Sequence, residues 1–360
     1  MKRAGGWLFL IIAIVGGYLL FYPVEIEPVK WQAPPAPPLE NDYALNARLA
    51  QVERLATGAG DGPEDVAVSA DGDIYTGYLD GRVVRVDGHT GEVTTLADTG
   101  GRPLGIGLLP DGGLAVADAY RGLLRVGLDG SLEVLAAQAN GLAFRFADDL
   151  DVARDGTVYF SDASWKYGME HLLADFLEHR GTGRLLRYNP DGTVDELLQN
   201  LYFANGVALG PDEQYVLVNE TGAYRVTRLW LKGPRAGERE VFIDNLPGFP
   251  DNISFDAQSG VFWLALYGPR DSALDATADK PFLRKLIYRL PEFLHPMPAH
   301  LGFVLGVDTD GRIVANLQDH GDGAYGPVTS AERAGDHLYL GSLSADSLAR
   351  LSIDDALSGD

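Results

Sequence analysis

Asp65-Val66-Ala67-Val68-Ser69-Ala70-Asp71-Gly72-Asp73-Ile74-Tyr75 reads as an apolar strand, an Asp-Gly turn and the start of a second strand. Gly105-Ile106-Gly107-Leu108-Leu109-Pro110-Asp111-Gly112-Gly113-Leu114-Ala115 repeats it in register without a gap. Further copies open at Asp149-Leu150-Asp151-Val152-Ala153-Arg154-Asp155-Gly156, at Gly206-Val207-Ala208-Leu209-Gly210-Pro211-Asp212 and at Asn252-Ile253-Ser254-Phe255-Asp256. A divergent copy runs from Thr329-Ser330-Ala331-Glu332 to His337-Leu338-Tyr339-Leu340-Gly341. Four short strands in roughly 40 to 57 residues is the period of a propeller blade, and is too long for leucine-rich or ankyrin repeats. Six units predict an all-β fold, a six-bladed β-propeller over residues 49–360. The last unit shows only three strands, so the segment near Ala50 to Ala56 is expected to supply the fourth and close the ring, which removes an open sheet edge.

Two stretches interrupt the period. Trp165 to His179 carries Met169, Leu172, Leu173, Phe176 and Leu177 at helical spacing, and Asp271 to Ile287 breaks the fifth unit at the same point of its repeat. Both are expected to emerge as short helical insertions on one rim, as lids or as packing helices.

At the N-terminus Lys2 and Arg3 precede an uncharged run from Ala4 to Val24, which spans roughly 30 Å as a helix. No small-x-small cleavage site follows it, so residues 1–24 read as an uncleaved signal anchor, a transmembrane helix, in preference to a cleaved signal peptide. The positive charge keeps the N-terminus cytoplasmic and puts the propeller on the periplasmic, lumenal or extracellular side. Residues 25–48 form a proline-rich linker in which Ala33-Pro34-Pro35-Ala36-Pro37-Pro38 is expected to act as a stiff spacer off the membrane.

With 29 basic and 51 acidic residues the formal charge is −22, which repels phosphate backbones and argues against nucleic acid as a partner. The absence of cysteine excludes disulfides, thiolate nucleophiles and cysteine-bound zinc. Gly-x-Ser-x-Gly is absent, and the seven histidines fall mostly in turns or insertions, which counts against a histidine-driven triad.

The innermost strand of each blade lines the central channel, so one repeat position sampled six times gives a ring around the axis. Just before the register mark stand Glu64, Leu104, Asp148, Asn205, Asp251 and Val328, with Asp65, Asp149 and Asn252 as neighbours in three blades. Four of the six are oxygen donors, which suits calcium, a cation that takes six to eight hard oxygen ligands in flexible geometry. The ring lacks the imidazole or thiolate that zinc or copper would need. A bound calcium can brace the channel of a binding module or act in catalysis. Leu104 and Val328 leave part of the ring without donors, which favours an open, catalytic position. In that role the ion would polarise a substrate carbonyl while Asp251 or Asp149 activates water as general base, a choice the sequence leaves open. Trp165, Phe176, Phe249, Trp263 and Tyr267 are expected to line the rim and favour an apolar or aromatic substrate.

Gly101-Arg102-Pro103-Leu104-Gly105-Ile106, Phe160-Ser161-Asp162-Ala163-Ser164, Phe203-Ala204-Asn205-Gly206-Val207, Pro247-Gly248-Phe249-Pro250-Asp251-Asn252-Ile253 and Leu338-Tyr339-Leu340-Gly341-Ser342-Leu343 resemble the strictosidine synthase-like and adipocyte plasma membrane-associated protein family. Gluconolactonases, regucalcin and paraoxonases are more distant relatives. The resemblance covers nearly everything after residue 50. It implies a six-bladed propeller with calcium in the channel, hydrolysis of lactones or aryl esters, and calcium ligands at Glu64, Asn205, Asp251 and Asn252. Asp148 stands where relatives often carry Asn. Leu104 takes the place of the catalytic histidine of paraoxonases, and Thr329 that of the last-blade glutamate of strictosidine synthases, so neither of those mechanisms carries over.

Overall fold

The computed structural model describes residues 2–295, 299 and 301–357. Of the segments named above, Met1 of the anchor and residues 296–298, 300 and 358–360 of the propeller stretch lie outside them. Six four-stranded antiparallel sheets form the blades, with inner strands at Ala67–Val68, Pro103–Leu108, Ala147–Val152, Ala204–Leu209, Gly248–Asp256 and Val328–Ala334. Each coincides with a sequence repeat. The ring closes as expected: Glu53–Leu55 pairs antiparallel with Leu348–Ser352, with Glu53 opposite Arg350 and Leu55 opposite Leu348.

Neighbouring blades share no sheet, so their inner strands present backbone groups that need partners from side chains. The second carboxylate of each inner-strand pair supplies them. Asp65 accepts the backbone N–H of Ile106 at 2.9 Å, and Asp149 that of Val207 at 2.7 Å, each stitching one blade to the next. Glycine makes the close approach possible. A Cβ at Gly105 would stand 2.6 Å from the Cα of Asp149. Between the blades lie apolar layers. Trp263, fully buried, packs with Leu338, Leu340 and Val328 between the fifth and sixth blades.

Both insertions fall between the second and third strands of their blades and meet on one rim. The helix α1 spans Lys2–Phe21, α2 spans Leu172–Glu178 in the third blade, and α3 (Ser272–Thr277) and α4 (Pro281–Tyr288) belong to the fifth. The Arg284 guanidinium ties them together by donating to the carbonyls of Phe176 at 3.1 Å and Leu177 at 3.0 Å. Among the described residues no helix is long and apolar enough to cross a membrane. Trp7, Ile11, Ile12, Ile14 and Phe21 of α1 are exposed.

The linker packs on the propeller instead of standing off it as the stiff spacer expected of its prolines. Ile26 is fully buried against Tyr167, Ala174 and Leu177, and Val29 N–H donates to Glu178 O at 2.9 Å. Trp31 stacks on His179 with ring centroids 4.0 Å apart, Arg270 donates to Pro34 O at 2.6 Å, and Asn245 to Pro35 O at 3.1 Å. The segment is therefore a strap across the insertions, anchored by the apolar side chains that punctuate it. Cutting the chain after residue 18 should leave the melting temperature nearly unchanged. Cutting after residue 40 removes Ile26 and Trp31 and should lower it by about 5–10 °C while the ring stays folded. Scanning calorimetry of the two truncations checks this, and equal melting points would show the strap contributes nothing.

Candidate functional site

The ring donors meet at the axis. Glu64, Asp148, Asn205, Asp251 and Asn252 are all buried, none more than 7% exposed. Asn205 Nδ2 donates to Asp251 Oδ1 at 2.7 Å, and Asn252 Nδ2 to Glu64 Oε1 at 3.0 Å. The backbone beneath is fixed as well, because Thr329 Oγ1 donates to Glu64 O at 2.6 Å and Thr221 Oγ1 to Pro250 O at 2.6 Å. Blade six thus contributes Thr329 as a positioning group rather than as a donor to the ring.

With the amide nitrogens spent on carboxylates, four oxygens are left buried with no hydrogen-bond partner: Glu64 Oε2, Asp148 Oδ2, Asn205 Oδ1 and Asn252 Oδ1. Each such orphan costs on the order of 1–3 kcal/mol. Burial, and then the neighbouring carboxylates of Asp251, Asp65, Asp148 and Asp149, push Glu64 well above the usual carboxylate range. Asp148 is raised in the same way, by burial and then by Asp251 and Asp162, with Arg102 partly offsetting them. Asp251 is pushed up to about 7 by burial, against the pull of the Asn205 hydrogen bond. Unpartnered oxygens on side chains that repel one another are the arrangement a hard cation relieves. Among the described residues no three Asp, Glu or His side chains gather closely enough to hold a metal by themselves. The set here is mixed, and two of its four open oxygens belong to amides, which calcium accepts.

Above the ring lies a cavity of about 570 Å³ whose floor is Glu64, Asp148, Asn205 and Asp251. Phe146, Phe203, Phe249 and Leu104 form its walls, and Met169, Leu173, Phe176 and Leu274 of the insertions its roof. Phe176 meets Phe203 and Phe249 with centroids 5.1 and 5.7 Å away, so roof and wall are in aromatic contact. A smaller chamber of about 230 Å³ opens at the other end of the channel, lined by Asp65, Asp149, Asp151 and Asn252 among others.

Several expectations change with these positions. Asp149 faces the smaller chamber and is engaged with the Val207 N–H, so of the two candidate bases only Asp251 opens on the apolar cavity. Asn252 borders the smaller chamber and reaches the ring through Glu64. Phe176, Phe249 and Tyr267 line the cavity as expected, but Trp263 and Trp165 do not. Trp263 faces the inter-blade core, where strand alternation turns it away from the axis, and Trp165 lies on the surface at 37% exposure. Phe146 and Phe203 line the cavity too, each standing two residues before a ring donor, the spacing that Phe249 has to Asp251. Glu292 and His295, which also border the cavity, carry no repeat signal. The same is true of Arg102, buried beside the acids and donating to Gly62 O at 2.9 Å.

The strictosidine synthase family pattern matches residues 148–234, and the strictosidine synthase-like N-terminal pattern residues 41–86. Among solved structures, a gluconolactonase of Xanthomonas campestris superimposes with a TM-score of 0.61 at 20% identity over 92% of this chain and 96% of its own. A regucalcin of Agrobacterium tumefaciens gives 0.57 at 18% over 83% and 90%. At those identities the likeness is one of fold. Adipocyte plasma membrane-associated protein of Bos taurus is 36% identical over 96% of this chain and 89% of its own length. Strictosidine synthase-like protein 6 of Arabidopsis thaliana is 38% identical over 88% and 85%. On that extent of shared sequence, the chain belongs to the strictosidine synthase-like family.

Proposed function

We propose that this protein is a membrane-anchored, calcium-dependent hydrolase of lactones or aryl esters. The observation that carries the reading is the set of four open, buried oxygens, three of them on residues that floor the apolar cavity. Glu64, Asp148, Asn205, Asp251 and Asn252 would hold calcium, which supplies a Lewis acid for the substrate carbonyl and is worth several kcal/mol to an ester transition state. Phe146, Phe203, Phe249 and Phe176 hold the acyl part and keep bulk water off the floor. Asp251, with one oxygen fixed by Asn205 and its side chain on the cavity floor, takes the proton of the attacking water. A purely structural calcium would favour a site closed by protein, and the cavity over the ring argues for access. The exposed apolar α1 supports anchoring, and the relative from Bos taurus is named for association with the plasma membrane.

A panel of lactones and aryl esters, assayed with calcium and then with chelator, tests the reading. Turnover of at least one class that falls with chelator and returns with calcium is the expected result. Hydrolysis indifferent to chelator would remove calcium from the mechanism, and none on any member would leave a binding module.

A further inference from the structure

The roof of the cavity carries a second apolar surface on its outside. Phe282 and Leu283 on α4 are exposed, and so are Phe293, at 83%, and Leu294 in the turn that follows. Glu292 and His295 flank that pair and line the cavity, as does the half-exposed Leu172 of α2, so the surface borders the cavity's mouth. Apolar groups gathered in this way on a chain of charge −22 call for a covering partner.

The connection to α1 says which one. Arg289, buried directly after α4, donates Nε to Tyr22 O at 2.7 Å and Nη1 to Leu19 O at 3.0 Å. A guanidinium there caps the free carbonyls at the end of α1. Tyr288 Oη donates to Glu25 at 2.6 Å, and Ile26 is buried beside α2 with Ile287 of α4 against it. The exposed length of α1 therefore leaves the propeller at this rim, beside the mouth, with no free spacer between.

We propose that this rim rests in the surface of the lipid bilayer that receives α1, with Phe282, Phe293 and Leu294 at the headgroup–acyl boundary. Substrate then enters from the bilayer, as an ester or lactone with a long apolar acyl part. The inference rests on the anchored-hydrolase reading and adds the orientation and the source of substrate. Aromatic and leucine side chains on one face, buried about 5–10 Å deep, are the usual means of such contact.

The chain has no cysteine, so a single one can be placed in the full-length protein and labelled with an environment-sensitive fluorophore. In phosphatidylcholine vesicles the label at Phe293→Cys should emit to the blue and be quenched by lipids brominated on the acyl chain. The label at Asp71→Cys, in the turn at the opposite end of the inner strand, should do neither. Vesicles that carry the protein on flotation while the label at 293 still reports water would overturn the orientation and leave the anchor standing. Protein that does not float with vesicles would overturn the anchor, and this proposal with it. The double variant Phe293→Asp, Leu294→Asp should lose about tenfold on a long-chain aryl ester dissolved in the vesicles and keep its rate on a short water-soluble one. Equal loss on both esters would overturn delivery from the bilayer.

Discussion

Exchange of Asp251 for Asn is expected to lower kcat on any lactone or aryl ester the protein hydrolyses by roughly 10²–10⁴-fold, the usual contribution of a positioned general base. The side chain is near-isosteric, and its contact with Asn205 can be kept by an amide flip, so the ring should remain folded. Asp149→Asn is the matched control. Its oxygen can still accept the Val207 N–H, and its side chain faces the smaller chamber, so turnover should stay within a few-fold of wild type. Calorimetric titration with calcium separates two roles for Asp251. Retained binding with lost turnover identifies a base, and loss of both identifies a ligand on which catalysis depends. Wild-type turnover in Asp251→Asn would remove the residue from the mechanism, and a collapse confined to Asp149→Asn would move the chemistry to the other end of the channel.

The propeller was legible because its signal is repeated. A strand, an Asp-Gly turn and a second strand recur in register from Asp65 and from Gly105, and six samples of one position gave Glu64, Asp148, Asn205 and Asp251 together. Residues that appear once carry no such average. Trp263 is an aromatic expected at the rim, yet its place third in the Val261–Pro269 strand sends it into the packing between blades. Whether a strand residue faces axis or neighbour depends on the register of pairing, and a shift of one residue reverses it. Phe146 and Phe203 do share a repeat signal, since position two before the donor is aromatic in blades three, four and five. The linker misled through composition. Its prolines describe a stiff extended chain, but Ile26 and Trp31, apolar residues a free spacer has no use for, are what dock it. Arg289, Glu292 and His295 belong to a single insertion, and only the folded chain shows that they meet α1 and the cavity.

Chelated protein should lose stability as pH rises from about 5 to 8, and calcium should cancel most of that loss. The sign follows from where the protons sit. Burial, with lesser help from neighbouring charge, raises Asp251 to about 7 and Asp65 to about 6, and Glu64 and Asp148 are raised as well. In the unfolded chain these groups titrate near 4. Between those values the folded protein holds more protons than the unfolded one, so the stabilisation is complete below about 4 and fades as pH climbs through the folded values. Each such group contributes a slope of up to about 1.4 kcal/mol per pH unit within its window. Calcium competes with the protons for the same oxygens and binds the folded state alone, adding about 2.7 kcal/mol at a hundredfold excess over its Kd. The gap between melting temperatures with and without calcium should therefore be small at pH 5 and widen to several degrees by pH 8. Replacing Asn205 by Ala removes one of the four open oxygens and should narrow the gap at pH 8 without moving the pH 5 value of the calcium-free protein by a comparable amount. Melting curves that coincide with and without calcium at pH 8 would show that the four oxygens bind no ion.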